Sequence, residues 1–103
     1  MSLKKKVTKI IIVQAAETEY LNFAAYYEQQ QKGLGERFVA DFTSQLIYLQ
    51  DYPFAFQYKF RKFRVAFMAR FPCMIVYKVD KSEIIVHAVR HSRENPKRLR
   101  KLK

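Results

Sequence analysis

The sequence has few of the residues from which common metal and cofactor sites are built. Its 103 residues include one cysteine, Cys73, two histidines, two glycines and no tryptophan. A single cysteine excludes a disulfide within the chain and every CxxC metal motif, and the two glycines form neither a GxxxxGK phosphate loop nor a GxGxxG dinucleotide fingerprint. We therefore expect no metal and no cofactor, a reducing, cytoplasmic location, and a Cys73 that packs in the core rather than acting as a nucleophile.

Long hydrophobic runs are also missing. The two longest, at residues 10–13 and 73–77, are far shorter than the ~20 residues that cross a bilayer. No charged segment followed by a long apolar stretch marks a secretory signal. Because hydrophobic residues make up 50% of the chain, residues 1–103 are expected to form one soluble domain with its own core, without a membrane partner.

Acidic residues are scarce in the second half of the chain. Residues 1–52 carry equal numbers of acidic and basic side chains, whereas residues 53–103 carry fourteen lysines and arginines against three acids, so the whole net charge of +11 lies there. Positive charge on one side of a protein attracts polyanions such as nucleic acid or acidic protein segments. The alternative is a solvated basic surface without such a partner.

The first half of the chain predicts one strand and two helices. β-Branched residues are dense in residues 7–13, which indicates a strand. Apolar residues three and four apart indicate a helix at about 15–32, and the only two glycines then mark a helix end and a tight turn. A stripe of apolar residues predicts a second helix over 36–51, which Pro53 stops, so the two helices form a hairpin.

The second half predicts a sheet. Apolar and polar residues alternate over 56–67 with a change of phase near Arg61, which we interpret as one strand containing a bulge. Two more strands follow at 73–79 and 84–89. The expected order is βααβββ, an α+β fold in which the helical hairpin packs on one face of a mostly antiparallel four-stranded sheet. Residues 97–103 are expected to form a basic tail that is either disordered or one helical turn.

Basic residues in the predicted strands are interleaved with aromatic residues. We expect most of the phenylalanines to point into the core under the helices and the cations to gather on the opposite side of the sheet. Such a surface suits single-stranded RNA, because it holds phosphates by charge and stacks unpaired bases on any exposed ring. The basic residues concerned are Lys59, Arg61, Lys62, Arg64 and Arg70.

Two histidines fall in or at the end of the last predicted strand. With a period of two, His87 and His91 share one face with Ile85 and Val89. We interpret His87, which lies between apolar residues, as a hydrogen-bonded core group. His91 stands where the strand ends, and the sequence leaves open whether it is a structural residue or takes part in proton transfer.

Several short motifs recur in an order and spacing that is typical of a known family, although no single motif is specific. They are Tyr26-Tyr27-Glu28, Gly33-Leu34-Gly35-Glu36-Arg37-Phe38, Pro53, Arg64, Arg70-Phe71-Pro72, Ile75, Tyr77 and His91-Ser92-Arg93-Glu94-Asn95-Pro96. Over about residues 7–96 the chain resembles the RelE/ParE toxin superfamily of bacterial type II toxin–antitoxin modules. The fold that this resemblance implies, βααβββ, agrees with the order predicted from periodicity.

The resemblance implies a growth-inhibiting toxin that a neighbouring acidic antitoxin neutralises. RelE-like members cut mRNA on the ribosome without a metal, by attack of the RNA 2′-hydroxyl, and ParE-like members poison DNA gyrase. For RNA cleavage the resemblance implies that Arg64 holds the scissile phosphate, that Arg70 assists and that His91 acts as acid or base. The residues that would contact neighbouring nucleic acid are Lys59, Arg61, Lys62 and Arg93.

This sequence differs from the RNA-cleaving members in one feature that bears on the choice between RNA cleavage and gyrase inhibition. Many of them carry a tyrosine or a comparable group near the C-terminus, and no aromatic residue follows Tyr77 in this chain. The basic residues favour a ribosome-dependent mRNA endoribonuclease, and we place RNA cleavage slightly ahead of gyrase inhibition. The missing aromatic residue favours gyrase inhibition or a homologue without catalysis, and a basic binding module without toxicity is a further alternative.

Overall fold

A computed structural model describes residues 9–56, 58–60 and 62–94, with the backbone alone for 58–60. It contains two helices and five strands in this order: β1 Lys9–Ile12, α1 Gln14–Gln30, α2 Leu34–Asp51, β2 Tyr58–Phe60, β3 Phe63–Phe67, β4 Cys73–Asp80 and β5 Glu83–His91. The predicted tail at 97–103 lies outside the described residues, as do Val7 and Thr8 of the predicted first strand. The last strand ends two residues later than the sequence predicts.

The strands form a single sheet in the order β1-β5-β4-β3-β2. β1 runs parallel to β5, and the other neighbouring pairs are antiparallel. Both helices contribute side chains to a core on one face of this sheet. The arrangement is the predicted α+β fold with a helical hairpin on a mostly antiparallel sheet, and the parallel β1 makes the sheet mixed.

The stretch predicted as one bulged strand is instead a hairpin. Phe60 of β2 lies opposite Phe63 of β3 in an antiparallel pair, so the chain reverses direction between these two strands. An alternating pattern is the same whether the chain continues or turns back, because the side-chain period within each strand is two in both cases. The division into β2 and β3 gives the sheet its fifth strand.

The connection between the helices depends on both glycines. Gly33 has φ 87°, a left-handed conformation that glycine adopts without steric cost. The Glu28 carboxylate accepts hydrogen bonds from the backbone N–H groups of Gly33, at 3.0 and 3.1 Å, and Gly35, at 3.0 Å. A Cβ atom at Gly35 would lie 2.7 Å from the carbonyl oxygen of Ala24, so α1 and α2 approach each other closely at this point.

The main core lies between the helices and the sheet. Its buried members from α2 are Phe38, Phe42 and Leu49, as the apolar stripe predicts. The ring of Tyr20 in α1 stacks on that of Phe42 with 4.6 Å between the centroids. The buried members from the sheet and its loops are Ala66, Met68, Cys73, Ile75, Tyr77, Ile84, Val86 and Val89.

A second buried cluster lies on the sheet and contains no helix residue. Its members are Phe63, Val65, Met74, Val76 and Ala88. We expected most of the phenylalanines to point into the core under the helices, and Phe63 is an exception. Ala66, whose side chain is small, faces the helices, so alternation along β3 sends Phe63 and Val65 to the opposite face. Phe67, at the end of β3, is exposed.

A bulge in β5 changes which residues share a face. Val76 pairs with Ala88 and Tyr77 pairs with Val86, so His87 is the extra residue. Beyond it the alternation shifts, which places Val89 in the core under the helices and Ala88 in the second cluster. The prediction that His87 shares a face with Val89 and His91 is therefore wrong, because a uniform period of two does not allow for the bulge.

Candidate functional site

The residues predicted to bind or cut nucleic acid lie at two ends of the sheet. Lys62 and Arg64 stand where β3 begins, at the end that we call the hairpin end. Arg70 lies in the loop between β3 and β4, and His91 and Arg93 lie at the end of β5, which we call the loop end. Lys59 lies in β2, where the backbone alone is described, and Arg61 is outside the described residues. The structure therefore does not bring the described candidates together into one site.

Arg64 is held by the segment that follows α2. One guanidinium nitrogen donates a 2.6 Å hydrogen bond to the carbonyl oxygen of Phe56. The guanidinium carbon lies 5.0 Å from the centre of the Phe54 ring, within range of a cation–π interaction. These contacts direct Arg64 to residues 54–56, so its side chain fastens this segment to the sheet.

The buried side chain of Tyr77 in β4 also holds the segment that follows α2. Its hydroxyl donates a 2.9 Å hydrogen bond to the carbonyl oxygen of Pro53. Burial raises the pKa of Tyr77 to about 12, and the nearby positive charge of Arg64 opposes this rise. A phenol that is buried, hydrogen-bonded and hard to ionise is a structural group here and a poor general base near neutral pH.

Arg64 and His91 are far apart for residues of one catalytic centre. Arg64 pairs with Tyr77 and His91 pairs with Cys73, so the two sites differ by four residues along β4 and by two strand spacings across the sheet. With a rise of about 3.3 Å per residue and about 4.8 Å between strands, their Cα atoms are about 16 Å apart. The Arg64 side chain is bound to residues 54–56 at the hairpin end, whereas His91 lies at the loop end.

At the loop end, hydrogen bonds hold three segments together. The backbone N–H of Arg70 donates to Asp41 Oδ2 in α2, at 2.9 Å. The backbone N–H of Ser92 donates to the carbonyl oxygen of Pro72, at 2.8 Å. The side chains of Arg70, His91 and Arg93 are exposed, so this end presents two guanidinium groups and an imidazole to solvent.

The His91 imidazole has a defined hydrogen bond. Its Nδ1 accepts the backbone N–H of Arg93 at 3.1 Å. In the neutral imidazole an accepting Nδ1 leaves the proton on Nε2, which then acts as a donor. His91 can thus donate a hydrogen bond to an anionic or carbonyl group of a partner. No carboxylate orients this ring among the hydrogen bonds of the described residues.

A wide groove runs between α1 and the end of β5, with a volume of about 1070 Å³. We call it the α1/β5 groove. It is lined by Glu19, Asn22, Phe23, Tyr26, Tyr27, Pro72, Val89, Arg90, His91, Arg93 and Glu94. Apart from His91 and Arg93, the sequence analysis gave these residues no binding role. The apolar members from α1, which are Phe23, Tyr26 and Tyr27, are spaced as core residues of an amphipathic helix, so no local signal distinguishes a groove wall from a core face.

Ion pairs fix one wall of the α1/β5 groove. Arg90 Nε lies 2.7 Å from Glu19 Oε2, and another guanidinium nitrogen lies 2.8 Å from Glu94 Oε1. Glu19 Oε1 also accepts the backbone N–H of Val89 at 2.9 Å. The Arg90 charge is therefore balanced within the chain, and of the two arginines that line the groove in the described part of the chain, Arg93 is the exposed one.

Cys73 has the properties of a core residue, as predicted from the sequence. Burial raises the pKa of its thiol to about 11, the carboxylate of Asp41 adds to this rise, and a hydrogen bond with Tyr27 opposes it. Burial also raises the pKa of Tyr27 to about 12, and Cys73 contributes. A thiol that is buried and protonated near neutral pH is not a nucleophile.

Residues 9–56 and 62–94 are those whose side chains the structure describes. No group of three or more histidine, cysteine or acidic side chains in these ranges is arranged to hold a metal ion. In the same part of the chain, neither helix has the length and apolar character needed to span a bilayer.

Comparisons with known proteins agree with this architecture. A family model described as the ParE toxin of the type II toxin–antitoxin system parDE matches residues 10–96. A solved structure described as the chromosomal ParDE toxin–antitoxin system from P. aeruginosa aligns with a TM-score of 0.66 and 16% sequence identity, covering 87% of this chain and 98% of that one. No curated protein matches the sequence significantly. At this identity the solved structure supports the fold, and the family match covers most of the chain.

Proposed function

The chain belongs to the ParE toxin family of type II toxin–antitoxin systems, and from this we propose that it inhibits DNA gyrase by binding and is neutralised by an acidic antitoxin. Gyrase inhibition was the alternative in the sequence analysis, where RNA cleavage stood slightly ahead. The family match and the geometry of the described residues both favour the alternative. Since gyrase and the antitoxin are cytoplasmic, the toxin would act in the cytoplasm.

The observation that carries the proposal is the separation of Arg64 from His91. Cleavage by the RNA 2′-hydroxyl requires a cation at the scissile phosphate and an acid and a base within hydrogen-bonding reach of the reacting oxygens. Arg64 is bound to Phe56 and lies at the hairpin end, whereas His91 lies about 16 Å away between Cα atoms. A protein that acts by binding has no such requirement.

The exposed cations are then binding groups rather than catalytic groups. Lys62, Arg70 and Arg93 are exposed and contribute to the net charge of +11. Positive charge of this kind speeds association with an anionic surface, including DNA held by an enzyme, and it also favours an acidic antitoxin. We propose that Arg70 and Arg93, which share the loop end, contribute to the contact with the gyrase–DNA complex.

Induced expression in bacteria tests this function. The proposal predicts an SOS response and loss of viability, with mRNA 5′ ends unchanged on sequencing, and rescue by co-expressed antitoxin. Replacing both Arg70 and Arg93 by alanine should reduce toxicity at least tenfold, whereas Lys32→Ala, which removes an exposed cation between the helices, should leave toxicity unchanged. Codon-positioned mRNA cuts without an SOS response would reject gyrase and favour RNA cleavage.

A further inference from the structure

The C-terminal end of α2 carries large apolar side chains that the core does not use. Ile47 is 57% exposed and Tyr48 is 44% exposed. The buried stripe of α2 consists of Phe38, Phe42 and Leu49, and neither exposed residue belongs to it. Single exposed apolar residues are common on protein surfaces, whereas neighbouring ones mark a surface that binds a partner.

Two further rings extend this exposed apolar surface. The centroid of the Tyr48 ring lies 5.0 Å from that of Tyr52 and 6.0 Å from that of Phe56. Tyr52 and Phe56 are both partly exposed. We call Ile47, Tyr48, Tyr52 and Phe56 the α2-end surface. Aromatic side chains are enriched in the centre of protein–protein interfaces because each buries a large apolar area, so this composition is typical of a protein-binding surface.

The segment that follows α2 is held at both ends, although residues 53–56 form neither helix nor strand. The Tyr77 hydroxyl donates to the carbonyl oxygen of Pro53 at 2.9 Å, and the Arg64 guanidinium donates to that of Phe56 at 2.6 Å. The motif residues Pro53, Arg64 and Tyr77 thus share one effect, which is to hold Phe56 beside Tyr48. A surface that is already ordered loses less conformational entropy when a partner binds.

The charge at the end of α2 favours a basic partner over an anionic one. Asp51 is the last residue of α2, and the last turn of this helix has no basic side chain. The carbonyl groups at the C-terminal end of a helix carry partial negative charge, which attracts cations and repels anions. DNA and an acidic antitoxin are both anionic. A protein surface that places lysine or arginine against Asp51 and the tyrosine rings is complementary to this end of the helix.

We propose that the α2-end surface binds the protein part of gyrase, at an apolar patch that is bordered by lysine or arginine. The inference rests on the proposed function in taking gyrase as the partner. It deepens that function by separating two contacts: the α2-end surface binds protein at the hairpin end, whereas Arg70 and Arg93 lie at the loop end. Tyr48, whose ring contacts those of Tyr52 and Phe56, is the central residue of the surface.

The test makes the same change at two exposed aliphatic positions. Ile47→Lys alters the α2-end surface, whereas Leu21→Lys alters a residue of α1 that is 51% exposed and lies outside that surface. The probe is purified gyrase without DNA, and surface plasmon resonance gives its dissociation constant. We expect a complex at least about tenfold weaker for Ile47→Lys and for Tyr48→Ala, and a change below about threefold for Leu21→Lys. Circular dichroism and thermal unfolding check that all three variants are folded.

Hydrogen exchange of the wild-type toxin gives a second measurement that does not depend on a variant. Binding of gyrase should slow exchange over residues 47–56 at least about tenfold, and protection confined to other elements would overturn the proposal. Tighter binding by Ile47→Lys would overturn it too, because an added cation strengthens contact with an anion. The surface would belong to another occupant if Ile47→Lys weakened only the complex with purified antitoxin, or if it dissociated a dimer of the free toxin, and either result would reject the proposal.

The wild-type toxin distinguishes a failure of this surface from a failure of the gyrase proposal. If the wild-type toxin and Ile47→Lys bind and inhibit gyrase equally, the function stands and the surface is wrong. If the wild-type toxin neither binds nor inhibits gyrase, the function is wrong and the surface loses its proposed partner with it.

Discussion

Asp41 and Arg70, 29 positions apart, are joined by a hydrogen bond of 2.9 Å from the Arg70 backbone N–H to the Asp41 carboxylate. Asp41 is 9% exposed and lies in α2. The bond fastens the β3–β4 loop to the helical layer, and this loop carries the exposed Arg70 at the loop end. A contact between this loop and α2 therefore holds the backbone of a candidate gyrase-binding residue.

Removing the Asp41 carboxylate should destabilise the protein and release the loop. We expect Asp41→Ala to lower the free energy of unfolding by about 1–3 kcal/mol, since it leaves a partly buried backbone N–H without its acceptor. Asp41→Asn retains an amide oxygen as acceptor and should cost less. Urea unfolding of the two variants measures the difference, and equal losses would mean that the hydrogen bond contributes nothing.

The two glycines between the helices should respond differently to alanine. At Gly35 a Cβ atom meets the Ala24 carbonyl oxygen at 2.7 Å, so Gly35→Ala must push the helices apart and should cost about 2 kcal/mol or more. At Gly33 an added Cβ atom would meet no atom of the described residues within 4 Å apart from its chain neighbours, so Gly33→Ala carries only the strain of positive φ, about 1 kcal/mol. Thermal unfolding ranks the two, and a larger loss at Gly33 would contradict the close helix contact.

Arg64 should behave as a stabilising residue. Arg64→Ala removes the hydrogen bond to Phe56 and the contact with the Phe54 ring, and we expect it to lower the free energy of unfolding by about 1.5–3 kcal/mol. Lys62→Ala, which removes a neighbouring exposed cation, should change stability by less than about 0.5 kcal/mol. If Arg64→Ala were as stable as the wild-type protein, the guanidinium would be free for a phosphate instead.

His87 should make the protein less stable in acid. Burial lowers the pKa of His87 below its usual 6.5, and the charge of Lys78 lowers it further. Its Nε2 is buried and has no hydrogen-bond partner among the described residues, and its ring lies 5.1 Å from that of Phe63 between centroids. Because the unfolded chain binds this proton more readily than the folded one, the His87 contribution is constant well above pH 6.5 and is lost as the pH falls below it.

Denaturant titrations at a series of pH values test this dependence. His87→Gln should flatten the loss of stability just below pH 6.5, although it costs some packing at every pH. An unchanged pH profile in His87→Gln would show that other groups cause the acid sensitivity.

The sequence predicts the helices and the fold class because their signals are local. The stripe of Phe38, Phe42 and Leu49 is visible from its spacing alone, and these residues are buried as expected. The hairpin between Phe60 and Phe63 is not visible in this way, because two short alternating segments resemble one long strand. The bulge at His87 is likewise set by pairing with β4 and has no signature in β5.

The candidate site was less predictable because it depends on contacts between distant parts of the chain. The sequence identifies Arg64, Arg70, His91 and Arg93 as basic or titratable groups, but not that Arg64 is bound to Phe56. Glu19 resembles any exposed acid of an amphipathic helix, and its hydrogen bond to Val89 joins residues 70 positions apart. Such pairings follow from tertiary packing, which residue spacing does not encode.

A measurement of gyrase activity in the presence of the purified chain tests most directly whether the chain inhibits gyrase. We expect supercoiling of relaxed plasmid to fall in proportion to toxin concentration and to recover on addition of the antitoxin, while mRNA on translating ribosomes stays intact at the same concentrations. Full gyrase activity alongside codon-positioned cuts in the mRNA would contradict it.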